Sequence, residues 1–308
     1  MKDDDRITEE IDAIFTAVGL EGFLIAEEIG ASGRSIELRA DEPVVLASVF
    51  KIPIFVAFAR AVADGVLDPA ETATVTSEYR TGGVGTGGAK DDVTASLRDL
   101  AELMMTLSDN AATDVIFDRV GQAAVDEVVT DAGLTATRIV GRCVDHLAVE
   151  AAHLRGIRRP GLDPHRENPW SGVTPAELLT LPTLDPASGL SVSTPRDIAL
   201  LLRRIWQNEL ASAQACADTR AAMSRQKSTA RIPSGFLPAV RVAGKTGTLE
   251  GIRNEASVVT YPDGRAFAVA IFTRSEEVAE RQPEHDRAMG AAARLVVDAL
   301  RREGNDRG

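Results

Sequence analysis

The chain is predicted to be an α+β protein, with strands near both ends enclosing a helical middle. Three observations carry that expectation. Apolar residues recur at helical spacing through most of residues 49–132. Short apolar runs of strand length lie before and after that stretch, and the last two are joined by the turn Pro262-Asp263-Gly264. With 308 residues, 44% of them apolar, the chain can bury a large core as one or two domains.

Taken in order, residues 7–18 have helical spacing and follow an acidic start, Met1-Lys2-Asp3-Asp4-Asp5-Arg6. Residues 22–27 and 35–40 read as strands around the turn-rich Gly30-Ala31-Ser32-Gly33. Helices are predicted over 49–66, 97–108, 111–120 and 123–132. Thr194-Pro195-Arg196-Asp197 is a helix start: Thr194 caps, Pro195 takes the first position and Asp197 supplies an acid to the first turn. That helix should run through 198–206. Residues 239–243, 256–261 and 266–273 read as strands of an antiparallel sheet, and 284–302 as a closing helix.

Composition narrows the function. A net charge of −12 argues against a nucleic-acid surface, which needs clustered Lys and Arg. No apolar run approaches membrane-spanning length. A basic start followed by an apolar stretch, the mark of a secretory leader, is not seen. The expected location is therefore cytoplasmic as written, or secreted or periplasmic if a natural start has been trimmed. Cys143 and Cys216 form no framework of bridges and are expected to be reduced. His146, His153 and His165 lack metal-ligand spacing, so neither metal nor cofactor is expected. The expected partner is a small-molecule substrate, and the oligomeric state is open.

The chemistry concentrates in three strings: Ser48-Val49-Phe50-Lys51, Ser108-Asp109-Asn110 and Lys245-Thr246-Gly247-Thr248. Only five lysines occur, and two of them, Lys51 and Lys245, fall in these strings. Ser48 and Lys51 lie three apart at a helix start, on one face. A serine hydroxyl becomes a nucleophile when a base takes its proton, and a lysine made neutral by burial or by a second cation can be that base. The helix N-terminus favours a developing oxyanion. Read singly, Ser-x-x-Lys also suits a solvated helix start, and Ser-Asp-Asn also suits an Asx-type cap between helices.

Together and in this order, the strings resemble those of the class A β-lactamase-like serine hydrolases of the β-lactamase and penicillin-binding protein superfamily. The likeness includes residues 47–54 and the separation between Ser48 and Ser108. It implies a β-lactamase-like fold: an antiparallel sheet flanked by terminal helices, residues 1–45 and 207–308, with an all-helical domain, 46–206, inserted and the site in the cleft between. It implies an acyl-enzyme on Ser48, with Lys51 as acylation base and Ser108 passing a proton to the leaving group. Asn110 would bind the substrate amide and Lys51, and Lys245 would bind a substrate carboxylate and depress the Lys51 pKa. Thr246 and Gly247 would line the substrate strand, Gly247 leaving room for substrate to pair with its backbone. The N–H groups of Ser48 and Thr248 would form an oxyanion hole. Arg253, in Gly251-Ile252-Arg253-Asn254, would hold a carboxylate, although an ordinary hairpin accounts for that Arg equally well.

Two features depart from the pattern. The glutamate that frees the acyl-enzyme in class A enzymes should fall near Cys143, between Arg142 and Val144, and none of these is acidic. Asp145 is the nearest candidate base and Glu150 the second; a solvated Asp in a helix turn is the plain alternative. Ser108 and Lys245 are also separated by about thirty residues more than the pattern has. The surplus is placed at 155–190, rich in Pro and Gly and containing Trp170, with a short helical stretch at 174–181. It reads as a lid over the cleft or as a surface excursion. The favoured activity is hydrolysis of a cyclic amide, a β-lactam first. The alternatives are the same chemistry on an ester, peptide or other amide, and a penicillin-binding protein that acylates without efficient deacylation.

Overall fold

The computed structural model describes residues 2–30, 34–158, 172–279 and 281–305. Residues 159–171 of the expected 155–190 surplus, with His165 and Trp170, lie outside the described residues, as do residues 31–33 of the first turn. In chain order the elements begin with α1 (Lys2–Thr16), β1 (Leu20–Glu28), β2 (Ser35–Leu38) and β3 (Val44–Val45). A 3-10 turn, Ala47–Phe50, leads into α2 (Lys51–Ala63), followed by β4 (Thr72–Val75), β5 (Val93–Ser96), α3 (Leu97–Thr106) and α4 (Asn110–Asp131). Then come α5 (Cys143–Arg158), α6 (Pro175–Leu178), β6 (Val192–Ser193), α7 (Pro195–Trp206) and α8 (Ala213–Ser224). The chain closes with β7 (Arg241–Leu249), β8 (Ile252–Thr260), β9 (Ala266–Ser275) and α9 (Pro283–Asn305).

Five of the strands form one antiparallel sheet in the order β2-β1-β9-β8-β7. Because successive strand residues point to opposite faces, both faces are read directly from sequence parity. Leu24, Val269 and Ile271 pack with Ile11 and Phe15 of α1 and Met289 and Val297 of α9. Phe23, Ile25, Val258, Ala270 and Phe272 face the other way, into a core shared with Val49 and Ile52 near the nucleophile, Met104 of α3 and Leu202 of α7. Apolar burial on both faces, at about 1.5–3 kcal/mol for each large side chain, makes the sheet a rigid wall. The α+β organisation and antiparallel sheet expected from the sequence are those observed.

Several elements differ in detail. The expected helices 111–120 and 123–132 are the two halves of α4, interrupted at Gly121, whose φ of 78° and ψ of 158° are not helical. The strand expected at 239–243 continues as β7 to Leu249, because pairing with β8 carries it through the Lys-Thr-Gly string. The region expected to carry a deacylating glutamate, near Cys143, is the first turn of α5. The short helix expected at 174–181 is the single turn α6, held by a reciprocal Thr174–Glu177 capping box. α7 lies against β1 and β9, and α8 lies against α2 and the edge strand β7.

Candidate active site

The nucleophile segment is shaped by its neighbours. Ala47, just before Ser48, has φ of 46°, a left-handed conformation that costs a residue with a side chain. Surrounding bonds hold it there. Asn254 of β8 donates from Nδ2 to the carbonyls of Val45 (2.9 Å) and Leu46 (3.3 Å), and the Leu46 N–H donates to the Ser191 carbonyl at 2.9 Å. Ser48 itself is half-buried in the 3-10 turn, and Lys51 follows as the first residue of α2.

Lys51 is fully buried. Its Nζ donates to the Ser108 carbonyl (2.7 Å), to Asn110 Oδ1 (2.7 Å) and, at 3.3 Å, to Ser108 Oγ. From the other side Lys245, also fully buried, donates to Ser108 Oγ at 3.0 Å and to the Thr246 carbonyl at 2.9 Å. One hydroxyl oxygen thus accepts from two amines, which occupies its lone pairs and leaves its own O–H to donate into the cleft. Burial lowers the Lys51 pKa against the opposing pull of Cys143, Asp114 and Asp109. Burial lowers that of Lys245 well below its ordinary value, helped by the charges of Lys51 and Arg231.

The Ser-Asp-Asn string is both a cap and part of this cluster. Ser108 sits at φ of 63° between α3 and α4. Asp109 caps α4 by accepting the Ala112 N–H (3.1 Å), while its other oxygen takes the N–H (2.6 Å) and hydroxyl (2.8 Å) of Thr86 in the glycine-rich 82–88 loop. The strained Ser108 backbone is held from both flanks, and Asn110 is left to face Lys51.

β7 is the sheet edge that borders the cluster. The Thr246 N–H points away from β8, donating to Gln226 Oε1 at 2.5 Å, so by strand alternation the backbone of Thr248, two residues on, also faces away from β8. Gly247 is where β7 meets the nucleophile. A Cβ there would lie 2.7 Å from the Leu46 carbonyl oxygen, 3.0 Å from Ala47 Cβ and 3.1 Å from Ser48 N. The close approach that glycine allows is therefore to the Ser48 turn. Behind the strand, Arg231 is buried; it donates to the carbonyls of Gly247 (2.8 Å) and Asn254 (2.7 Å) and to Thr248 Oγ1 (2.6 Å). Glu255, fully buried, accepts from Ile232 N (2.9 Å), Ser257 Oγ (2.9 Å) and Gln226 Nε2 (3.3 Å).

The remaining expected residues are placed apart from the two lysines. Arg253 makes a two-bond fork with Asp286, both bonds 2.9 Å, and Asp286 also accepts from Arg231 at 3.0 Å. Asp145 lies in the first turn of α5, where Oδ2 accepts the Arg142 N–H at 2.8 Å and its guanidinium Nε at 3.3 Å. The residue that reaches the cluster from α5 is Cys143, whose buried Sγ donates to Asn110 Oδ1 at 3.4 Å. Burial pushes this thiol up to about 12. Its backbone N–H and that of Val144 donate to buried Asp114, at 2.6 Å and 3.1 Å, fixing the start of α5 against α4; burial raises Asp114 to about 6. Glu150, two turns along α5, lines a cavity with Thr248 and Arg253. Among the described residues no three His, Cys, Asp or Glu side chains gather so as to hold a metal ion, and no helix is long and apolar enough to cross a membrane.

Sequence reasoning missed Arg231, Gln226, Asn254 as a clamp, and Glu255. Each acts through partners distant in sequence: Arg231 through Gly247, Thr248 and Asp286, Gln226 through Thr246, Asn254 through Val45 and Leu46, and Glu255 through Ile232.

Comparison with known proteins gives the family and the fold. The model of the beta-lactamase enzyme family matches residues 6–300. The beta-lactamase regulatory protein BlaB of Streptomyces cacaoi is 27% identical over 299 residues, covering 92% of this chain and 94% of that protein. Among solved structures, a β-lactamase from Sphaerobacter thermophilus superposes with a TM-score of 0.75 at 23% identity, covering 96% of both chains. PBP-A superposes with 0.74 at 23% identity, again covering 96% of both. A class A β-lactamase from Mycobacterium abscessus gives 0.75 at 18%, covering 96% of this chain and 99% of that one. At these identities the structures speak for the fold, and the family match spans nearly the whole sequence: the chain belongs to the beta-lactamase enzyme family.

Proposed function

We propose that this protein opens cyclic amides, β-lactams first, by forming an acyl-enzyme on Ser48. The observation that supports this most directly is the convergence of Lys51 and Lys245 on Ser108 Oγ, at 3.3 Å and 3.0 Å. Lys51, whose pKa burial lowers, first gives one proton to solvent together with one of its three donated bonds; the neutral amine then takes the Ser48 proton as Oγ attacks the carbonyl carbon. The oxyanion is held by the N–H groups of Ser48 and Thr248, worth about 10²–10³ in rate for a single donor. The C–N bond then breaks, and the leaving nitrogen receives the Ser108 proton, which Ser108 recovers from a lysine. Lys245, with Arg231 behind it, makes the strand edge a seat for the substrate carboxylate, completed by the Thr246 and Thr248 hydroxyls. Asn110 bonds the substrate amide from the opposite wall. Arg253 is engaged by Asp286 and is left out of the carboxylate seat.

A second reading, an acyl-enzyme that persists, is favoured by the start of α5. A thiol held at about 12 is a poor base for water at neutral pH, and Asp145 is engaged by Arg142. One relative is named as a β-lactamase regulatory protein rather than as a β-lactamase.

Intact mass followed over time after adding benzylpenicillin, with Ser48→Ala alongside, tests both readings. An adduct of one penicillin that forms and decays as drug is consumed supports turnover, and one that stays supports the second reading. No adduct, or an adduct also on Ser48→Ala, overturns acylation at Ser48.

A further inference from the structure

A cavity of about 610 Å³ opens beside Thr248 at the end of the edge strand. Its walls include Leu147 and Glu150 of α5, Leu178 of α6, the β7–β8 turn at Glu250, Arg253 and Glu277. Glu150 is only 2% exposed, and its Oε1 has no hydrogen-bond partner among the described residues. A buried carboxyl without a partner is costly, and a site that keeps one has a use for it or a ligand to satisfy it. The charges around it are uneven. Glu250 stands close enough to act on Glu150 through space, and Glu277 lies on the rim with its side chain 75% exposed. The one cation on the wall among the described residues, Arg253, is engaged by Asp286. His285, buried on α9, lies 3.9 Å from the Glu277 carboxylate.

We propose that this cavity is a subsite for a protonated primary amine carried by the substrate, and that Glu150 is the residue that selects it. The inference rests on the acyl-transfer reading for its place in the reaction. The cavity wall contains neither Ser108 nor either lysine, so it receives the part of the substrate away from the leaving nitrogen. An ammonium seated there donates to the unpartnered Oε1, and its charge offsets the repulsion from Glu250 that ionising Glu150 brings. Its neutral isostere leaves a buried carboxyl unpaired, so rejection is as much part of selection as attraction. Burial first, and Glu250 second, push Glu150 up to about 8, so Glu150 holds a proton at neutral pH and a bound ammonium displaces it to solvent.

The test compares two penicillins that differ only at the end of the acyl side chain, a free primary amine in one and its N-acetyl form in the other. The second-order rate of adduct formation is read by intact mass for wild type, Glu150→Gln and Glu250→Gln. A charge-assisted bond predicts that the amine form reacts about ten- to a hundredfold faster in wild type. The ratio should fall to about one in Glu150→Gln and partway in Glu250→Gln. Gln matches the shape and neutrality of the protonated acid, so folding is preserved. A ratio near one in wild type, or an unchanged ratio in Glu150→Gln, overturns the subsite while leaving acylation standing. Calorimetry on Ser48→Ala with Nα-acetyl-lysine amide, against its Nε-acetyl form, separates the two ideas. Glu150-dependent binding with proton release at pH 7, in a protein that neither penicillin labels, would sink acyl transfer and keep the subsite; no such binding, with no labelling, removes both.

Discussion

Replacing Asn254 by Ala should weaken both the fold and the nucleophile. The register of β8 against β9 is the same on either side of residues 253 and 254, yet the two pairs between Ile252 and Glu255 are missing from the ladder. Side chains fill the gap: Asn254 Oδ1 accepts the Thr273 N–H at 3.2 Å, and the Thr273 hydroxyl donates to the Arg253 carbonyl at 2.7 Å. The same Asn254 amide donates to the carbonyls of Val45 and Leu46 from its Nδ2. The substitution orphans a buried N–H, at about 1–3 kcal/mol, and removes two further bonds at about 0.5–1.5 kcal/mol each. Leu46 keeps the Val49 N–H as a donor, which places the sum at about 2–4 kcal/mol. At about 2.1 cal/mol/K of unfolding entropy per residue, that lowers the melting temperature of a 308-residue chain by roughly 3–6 °C. It also frees the Ala47 turn to leave its left-handed conformation, carrying the Ser48 hydroxyl and N–H with it. A misplacement of about 1 Å costs about a hundredfold, so acylation should fall by at least about tenfold. Denaturant unfolding and intact-mass acylation rates measure the two effects. A variant within about 1 kcal/mol of wild type that acylates at the wild-type rate would refute the clamp.

Ser108→Ala should lower the rate of acylation by about 10²–10⁴, the range for a lost proton-transfer group, with Ser48 still labelled slowly; a loss under about threefold would rule out the shuttle. Cys143→Glu sets a carboxylate beside Asn110 and Lys51, and adduct decay should quicken by about tenfold or more; unchanged decay would show that α5 cannot seat a base there. Glu150 gives a pH signature to stability. Its folded pKa of about 8 lies above the ordinary 4.5, so between these values the folded state keeps a proton that the unfolded state has lost. Stability therefore falls as pH rises through that window, at up to about 1.4 kcal/mol per pH unit. Glu150→Gln should lack that contribution and be the more stable protein at pH 8; parallel stability curves would contradict it.

What the sequence by itself determined is local. Thr194-Pro195 starts α7 because a cap and a proline act within one turn, and Gly121 divides α4 because its conformation is open to glycine. The three strings announced the serine, the two lysines and the family because their spacing is chemistry written along the chain. The faces of the sheet followed from parity alone. Less was legible where pattern is weak: α8 is Ala-rich with a blurred apolar face, and β3 and β6 are two residues each, too short for any period. Tertiary structure decided what depends on approach between distant segments. Lys245 reaches Ser108 across 137 residues, and Asn254 holds Val45 across 209. It also decided which α5 side chain meets Asn110. Helical direction turned Cys143 toward the lysines, Asp145 toward Arg142 and Glu150 into a cavity, and no spacing rule separates those three before the helix is docked. The division has one physical reason. Propensity, capping and alternation act over a few residues, whereas burial, pKa and strain belong to the neighbours that folding brings in.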